Sequence, residues 1–421
     1  MKCITAAALF WLVSVPALAQ EAPRARPAPP EGQWRLSWDE HPEVEWAGRL
    51  RVEFHARLQS DGRMSDAAVE RGRGDTFDVG RRRIGIKGEL GKDVEFQLER
   101  EIERTNPWRD AFINIRRVRA AQVQAGQFKI PFGLEETTSG TSLDFIYRSL
   151  VSTRLAPGRD NGVMLHGRLA GRALGYEIGV FAHDGDNARP NGGRRVFGGR
   201  TAAGRLTVEP FRRSRSRLSD LQLGVAFTRS ALPEGFPAIR GRSVLGVSFF
   251  DSDLWVSGGR RRAGLQARWR PGRLSVASEL IRVSDDRRAQ SAAGEDLPPF
   301  LARGWYASGS WVVAGATRAA RVSEPERPLF RGGFGSIQVA VRLERLRLGS
   351  DSRIAASSTS PRAESVGGNE DTAATFGTTW HPNRWIAVEG NVIREAIGAG
   401  ARDPFPRARF WSRLIRLQLA F

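Results

Sequence analysis

The feature that most constrains the fold of this chain is a strict alternation of apolar and polar side chains, which begins near Trp46 and continues to the last residue. The clearest segment, residues 49–58, places Leu50, Val52, Phe54, Ala56 and Leu58 on one face and Arg49, Arg51, Glu53, His55 and Arg57 on the other. Side chains alternate between two faces in a β-strand and not in a helix. One such strand fits a soluble sandwich as well as a barrel.

The alternation recurs along the whole chain. Ile84, Ile86 and Leu90 oppose Arg83, Lys87 and Glu89, and an acidic stretch follows at Asp93–Glu103. Later segments with the same pattern are Val163–Leu169, Leu174–Ala182, Leu221–Phe227, Leu245–Phe249, Leu265–Trp269, Trp305–Val313, Ile337–Leu343, Ala374–Trp380, Ile386–Val392 and Ile415–Phe421. Together with fainter segments they indicate about sixteen strands, within the range of bacterial barrels. No stretch has helical periodicity.

The N-terminus has the layout of a secretory signal peptide. Lys2 precedes an apolar run from Ala6 to Val15, and Ala17-Leu18-Ala19 offers a cleavage site of small residues. The run is too short to span a membrane as a helix. We therefore predict a signal peptide over 1–19, a Pro-rich periplasmic segment over 20–45 and a single barrel domain over 46–421. The lone cysteine, Cys3, lies in the signal, so the mature chain has no disulfide.

The class that fits these features is an all-β, closed antiparallel transmembrane β-barrel in the cell outer membrane. Mean hydropathy is −0.38, which excludes a helical membrane protein but suits strands that alternate. Many Trp residues fall at segment ends, as the aromatic girdles of a barrel require. The last strand alternates from Ile415 to Phe421 and stops on the aromatic residue, a pattern that resembles the signal read by outer-membrane assembly machinery.

The charge favours anionic partners. Lys and Arg number 65 against 46 Asp and Glu, which gives a net charge of +19. Such a surplus attracts nucleic acid, anionic lipid or small anionic solutes. Export makes nucleic acid the least suitable of these, so we expect outer-membrane lipid and small anions as partners and no nucleic acid.

Several stretches resemble the phosphate-selective porin O and P family. The clearest runs from Gly126 through Phe128, Lys129 and Phe132 to Glu135, and Phe145-Ile146-Tyr147-Arg148 and Pro157–Val163 follow it. Gly48–Leu50, Arg81–Gly88, Thr378–Asn383 and Arg416–Gln418 match in the same order along the chain. The resemblance implies a sixteen-stranded barrel, usually a homotrimer, in which anions pass along a ladder of inward arginines.

The resemblance places ladder arginines at Arg49, Arg81 and Arg148, and the polar strand faces add Arg51, Arg57 and Arg83. Arginine suits this role because its planar fork donates several hydrogen bonds and keeps its charge at any working pH. These residues, with Lys129 and Glu136, form the predicted substrate pathway. The alternative is that the arginines only solvate the lumen or pair with nearby carboxylates, and we expect the acidic stretch to form a negative stripe that faces them.

Two departures from the family pattern affect selectivity. In the family, the second strand opens with two consecutive arginines, whereas this chain has Gly80 at the first of these two positions. Phosphate-selective members carry a lysine directly after the F-G-L-E run, whereas this chain has Glu136. A carboxylate at the narrowest point would repel a dianion, so family membership is better supported than phosphate selectivity.

Catalytic and metal chemistry have little support in the sequence. The five His residues show no metal-ligand spacing, and no P-loop, G-x-S-x-G or dinucleotide motif occurs. His166 lies near Ser149 and Ser152 in sequence, which is weak support for an enzyme. We expect no enzyme, no cofactor and no metal. Three hypotheses remain: an anion-preferring porin, a broad-range porin of the same family, and a plugged binding barrel whose long loops, 284–299 and 351–372, do the work.

Overall fold

The structure is a computed structural model that describes residues 33–38, 41–66, 76–102, 108–185, 199–250, 253–350, 360–364, 366–398 and 408–421. The predicted signal peptide, the Pro-rich stretch 22–31 and residues 351–359 and 365 of the loop 351–372 lie outside these residues. No helix in the described part of the chain is long and apolar enough to cross a membrane.

The described residues form twenty strands and two short α-helices. The first ten strands are β1 Trp34–Trp38, β2 Pro42–Trp46, β3 Leu50–Ser65, β4 Thr76–Leu90, β5 Val94–Glu101, β6 Trp108–Val118, β7 Ala121–Lys129, β8 Arg159–Leu169, β9 Leu174–Phe181 and β10 Thr201–Val208. The others are β11 Gln222–Pro237, β12 Gly241–Arg242, β13 Ser248–Phe250, β14 Trp255–Trp269, β15 Leu274–Arg287, β16 Leu297–Ala314, β17 Ser336–Ser350, β18 Asn369–His381, β19 Ile386–Ile397 and β20 Ala408–Ala420. The helices, α1 Leu134–Thr137 and α2 Leu150–Leu155, both lie between β7 and β8.

Sixteen of these strands close into one antiparallel barrel. Each strand from β3 to β11 and from β14 to β20 pairs with its neighbour along the chain, β11 pairs with β14, and β20 returns to β3. Closure leaves no free sheet edge, which is the condition for strands to cross hydrocarbon. The predicted closed barrel of about sixteen strands is therefore confirmed.

The alternation predicted in the sequence decides which way each side chain points. On β3, Phe54 and Leu58 are 41% and 44% exposed on the outer face, while Gln59 and Asp61 are buried on the inner face. The partners of Phe54 and Leu58 on β4 are Ile86 and Arg82. The outer surface of the barrel is thus largely apolar, as lipid contact requires, and the polar residues line the lumen.

Two short strands, β1 and β2, precede β3 on the N-terminal side of the barrel. Strand β1 lies within the segment 20–45, and β2 ends one residue beyond it, at Trp46. The two strands form a hairpin, and β2 pairs with the start of β3. The strand β20 pairs with β3 only from Ser65 to Arg57, so the hairpin takes over where the C-terminus ends. The rings of Trp38 and Phe421 lie 5.8 Å apart at this junction.

The two ends of the barrel have connections of different kinds. Turns such as 91–93, 119–120 and 382–385 join strands at one end, which we call the turn end. The opposite end, the loop end, carries longer connections, including the 29-residue segment 130–158. We predicted a strand at Leu245–Phe249, but these residues do not form a strand of the barrel wall, so this prediction was wrong. The apolar residues of this segment belong to the short β12–β13 hairpin at this end, where Phe249 is buried in a core instead of facing outward.

The wall is uneven in height. Strands β5 to β10 have 8 to 11 residues and form a short wall. Strands β11 and β14 to β20 have 12 to 18 residues and form a tall wall. The buried apolar core lies inside the barrel, between the tall wall and the segment 130–158.

Candidate functional site

The segment 130–158, which we call the inner loop, folds back into the lumen. Phe132, Ile146, Leu150, Val151 and Leu155 are almost completely buried. They pack in one cluster with Ile281, Val283 and Leu346 of the tall wall. A polar lumen would otherwise face these apolar side chains, so their burial fixes the loop against that wall.

Buried carboxylates of the tall wall hold the backbone of the inner loop. The Glu279 carboxylate accepts hydrogen bonds from the backbone N–H groups of Leu134, at 2.5 Å, and Glu135, at 2.9 Å. Glu344 accepts one from the N–H of Leu150 at 2.5 Å. Each contact falls at the first turn of a loop helix, where N–H groups have no partner within the helix. Gly133 has a φ of 79° and leaves space that a Cβ would take from Glu279.

Buried arginines hold the carbonyl groups of the same loop. Arg416 donates from Nη1 to the carbonyl oxygen of Ile146 at 2.7 Å, and Arg262 donates from Nε to that of Leu155 at 2.8 Å. Arg342 reaches the carbonyl oxygen of Tyr147 at 3.1 Å. The loop is therefore fastened to the tall wall along most of its length, and the open lumen lies on the side of the short wall.

That open lumen is a cavity of about 640 Å³. Its charged lining residues are Arg57, Arg81, Arg83, Glu99, Arg109, Asp110, Lys129, Glu136, Arg148, Arg159 and Glu177. Seven of these are basic and four are acidic. The cavity shares Arg57, Arg83, Gln97 and Glu99 with a second cavity of about 380 Å³ toward the turn end, so the two adjoin.

Four predicted pathway arginines line this cavity, and the three of them on β3 and β4 have different partners. Arg83 is paired with two carboxylates, at 2.6 Å from Glu101 and 3.1 Å from Glu99. Arg81 has, among the described residues, only a long side-chain contact of 3.3 Å with Gln59. Arg57 makes no ion pair or side-chain hydrogen bond with the described residues, and its Nε is buried without a partner. Arg57 and Arg81 therefore keep positive charge available to the lumen.

Three further residues of the predicted pathway, Lys129, Glu136 and Arg148, lie together on the inner loop and at the end of β7. Lys129 donates from Nζ to the carbonyl oxygens of Glu136, at 2.5 Å, and Thr138, at 2.9 Å. Arg148 donates to the carbonyl oxygens of Glu135 and Thr138. Its Nε lies 3.6 Å from the Glu136 carboxylate. Glu136 therefore offsets the charge of Arg148, and Lys129 braces the loop backbone.

Two predicted residues lie away from this group. Arg49 belongs to the turn 47–49 and donates its N–H to the carbonyl oxygen of Trp46 at 2.9 Å. The β1–β2 hairpin ends at that turn, which is why Arg49 does not continue the inner face of β3. Arg51 lies on that face near the turn end, where it pairs with Glu43 at 2.8 Å and Glu53 at 3.1 Å.

The acidic stretch does not face the arginines across the lumen as we expected. Glu95, Glu99 and Glu101 lie on β5, directly beside β4, and pair with Lys87 and Arg83 of that strand. Sequence reasoning also missed Arg159 and Asp110, which form a two-pronged pair at 2.9 and 3.0 Å in the cavity wall. The two residues are 49 positions apart in the sequence. The alternation of β8, in which Val163 and Leu165 face outward, gave no sign that Arg159 lines the cavity.

Tyr147 shows how the loop meets the barrel wall. Its hydroxyl donates to the Asp61 carboxylate at 3.3 Å. Burial raises the pKa of the Tyr147 hydroxyl, and the negative charge of Asp61 raises it further. The group therefore remains a neutral hydrogen-bond donor. Among the described residues, no group of three or more His, Cys, Asp or Glu side chains could hold a metal ion.

The chain is similar in sequence to one protein family and in fold to solved outer-membrane porins. The sequence model described as phosphate-selective porin O and P matches residues 52–395. The anion-selective porin from Comamonas acidovorans superposes with a TM-score of 0.54 and 13% identity, over 88% of this chain and all of that one. The outer-membrane channel DcaP of Acinetobacter baumannii gives 0.55 and 10% over 90% and 99% of the two chains.

A third solved structure, the in-vitro folded trimer form of OmpT from Vibrio cholerae, gives a TM-score of 0.54 and 10% identity over 89% of this chain and all of that one. At such identities the likeness extends to the fold alone. No curated protein matches the chain.

Proposed function

Because the chain belongs to the phosphate-selective porin O and P family, we propose that it conducts small anions by passive diffusion through the cavity beside the inner loop. The family and the fold make the protein an outer-membrane channel and point away from an enzyme. This confirms the predicted family and location. By the usual layout of such barrels, the turn end faces the periplasm and the loop end faces outward.

The observation that carries the anion preference is the charge of the cavity lining. Basic residues outnumber acidic ones by seven to four, and Arg57 and Arg81 lack carboxylate partners among the described residues. An anion that passes these two arginines replaces part of its hydration shell with hydrogen bonds from the guanidinium groups. No single site binds the anion tightly enough to prevent its release. The adjoining cavities also favour a channel over a plugged binding barrel.

We further propose that the channel has a broad range of small anions and no strong phosphate preference. Glu136 lies in the cavity 3.6 Å from Arg148, and the nearest lysine, Lys129, is occupied with two carbonyl groups. A dianion at this point would meet a carboxylate. Unit charges about 4 Å apart near a wet protein surface interact by about 4 kcal/mol, enough to decide selectivity in a narrow section.

Reversal potentials in planar bilayers under a KCl gradient test both proposals. The wild type should prefer chloride, and Arg57→Gln with Arg81→Gln should reduce that preference. Glu136→Lys should shift the reversal potential toward anions and strengthen the block of chloride current by phosphate. Glu326→Lys, an equal charge change at an exposed position in the connection 315–335, is the control. Unchanged selectivity in both pore variants would place the ion path elsewhere.

We also propose that the protein assembles as a homotrimer through its short wall. Strands β5, β9 and β10 have 8 residues, whereas about 9–11 are needed to span a bilayer. The outer face of the short wall still carries apolar side chains such as Ile113 of β6, 55% exposed, and Ile178 of β9, 60% exposed. Neighbouring copies would cover this wall. Native mass spectrometry of the refolded protein should give a trimer, which Ile178→Lys should weaken and Leu265→Lys on the tall wall should not.

A further inference from the structure

The outer face of the tall wall carries three arginines side by side on adjacent strands. Arg282 of β15 is directly opposite Arg303 of β16, which is directly opposite Arg347 of β17. All three are exposed. Neighbouring strands lie about 4.8 Å apart, so the three side chains form a compact row, which we call the arginine row.

The arginine row is not neutralised by the part of the chain that the structure describes. None of its three side chains makes an ion pair or a hydrogen bond there. Glu370 is directly opposite Arg347, but its carboxylate binds Arg345 at 2.6 Å. Like charges directly opposite each other destabilise a sheet. The arrangement is therefore costly unless an anion lies against it.

The position of the arginine row indicates where that anion comes from. The next outward residues toward the middle of the barrel include Leu280 and Trp305, which are paired with each other and exposed. Trp residues mark the level of the headgroups in membrane barrels. The row lies beyond Trp305 toward the loop end, so it reaches the headgroup region of the outer leaflet and not the hydrocarbon.

From this placement we infer that the arginine row binds the phosphate groups of a phosphorylated glycolipid in the outer leaflet. Guanidinium groups bind phosphate oxygens in pairs of parallel hydrogen bonds, and three of them in line offer more than one such fork to a headgroup. The site is separate from the ion path, because the residues next to it in sequence, Val283, Ala302 and Leu346, are buried on the inner side of the same strands.

The test uses the full-length protein refolded in neutral detergent micelles. Native mass spectrometry and thermal unfolding are followed with lipid A that carries its phosphates, with dephosphorylated lipid A, and with inorganic phosphate alone. The triple variant Arg282→Gln, Arg303→Gln, Arg347→Gln is compared with Arg318→Gln, Arg327→Gln, Arg331→Gln. The second set removes the same charge from exposed arginines in the connection 315–335 at the turn end.

We expect phosphorylated lipid A to bind the wild type and the control variant and to raise their unfolding temperature. The arginine-row variant should lose about tenfold or more in affinity, as expected when charge-assisted hydrogen bonds are removed. Its single-channel selectivity should be unchanged, which shows that it folds and separates this result from the pore proposal. Equal binding of dephosphorylated lipid A, a similar effect of inorganic phosphate alone, or a change in subunit number without a change in lipid affinity would each overturn the inference.

Discussion

Arginines on the inner face of this barrel have different roles. Arg262, Arg342 and Arg416 are buried and hold the carbonyl groups of the inner loop while they pair with carboxylates. Arg57 and Arg81 line the cavity without a carboxylate partner among the described residues. The same residue type therefore both holds the inner loop and supplies positive charge to the cavity, and the partners of an arginine distinguish the two roles.

Asp184 is the residue whose protonation should matter most for the stability of the loop end. It is fully buried and accepts hydrogen bonds from Arg260, Arg262 and Ser230. Burial alone would raise the pKa of Asp184, but the guanidinium groups of Arg262 and Arg260 outweigh burial and lower it. A carboxylate with a lowered pKa stabilises the fold above the ordinary value of about 3.9, and this contribution fades as the pH falls through the folded-state value.

We therefore expect Asp184→Asn to lose about 3–5 kcal/mol at neutral pH, because it leaves buried guanidinium charge without its partner. Urea unfolding in micelles at pH 7 and pH 3 gives the measurement. The wild type should lose part of its advantage over the variant at the lower pH. Asp220→Asn, at an exposed carboxylate, is the control and should match the wild type at both values. A variant as stable as the wild type at pH 7 would contradict this role.

The position of a single side chain was predictable from the sequence only where the alternation of one strand, or the family resemblance, determined it. The alternation of β3 placed Arg57 on the inner face, and the resemblance placed Arg148 in the cavity. Pairs such as Arg159 with Asp110, or Asp184 with Arg262, were not predictable, because they join segments that only the closed barrel brings together. Arg49 lies in the turn before β3, so the alternation of that strand does not determine the direction of its side chain.

Among the elements, the inner loop has the largest influence on the lumen. Glu279 holds its first helix through two backbone hydrogen bonds and also accepts one from the Tyr306 hydroxyl at 2.8 Å. We expect Glu279→Ala to release this end of the loop, since each hydrogen bond to a charged group is worth about 1.5–3 kcal/mol. Single-channel recordings should then show larger conductance with frequent fluctuations.

The matched control for this prediction is Glu295→Ala, which removes an exposed carboxylate from the connection between β15 and β16. Its current should equal that of the wild type in size and steadiness. Steady wild-type current in Glu279→Ala would mean that apolar packing of Phe132 and Leu150 alone keeps the loop in place.

Wall strands were predictable as elements, because lipid on one side and water on the other impose the period of two. The inner loop and the β12–β13 hairpin were not, because their apolar residues are buried inside the barrel and follow no such period. For this reason Leu245–Phe249 looked like a wall strand. The β1–β2 hairpin was missed because its strands have five residues each, too few to establish a pattern.

For the molecule as a whole, the net charge of +19 should make anion preference depend on salt. Charges are screened beyond about 10 Å at 0.1 M salt and about 3 Å at 1 M. With the same fivefold KCl gradient, the reversal potential should indicate strong anion preference at low concentration and weaker preference at high concentration. A reversal potential that does not change with concentration would mean that direct binding at Arg57 and Arg81, and not the surrounding field, selects the ion.

The fastening of the inner loop to one wall has an electrical consequence. A channel's resistance is concentrated where its cross-section is smallest. On the ion path proposed above, most of an applied voltage would fall across the section between the inner loop and the short wall, beside Arg57, Arg81 and Glu136. Arg57 lines both adjoining cavities, whereas Arg81 and Glu136 line only the larger one, and the lining of the smaller one includes His41, His55 and Lys87. An ion that enters from one side therefore meets a different sequence of charges from one that enters from the other. The current should rectify, with unequal size at equal voltages of opposite polarity.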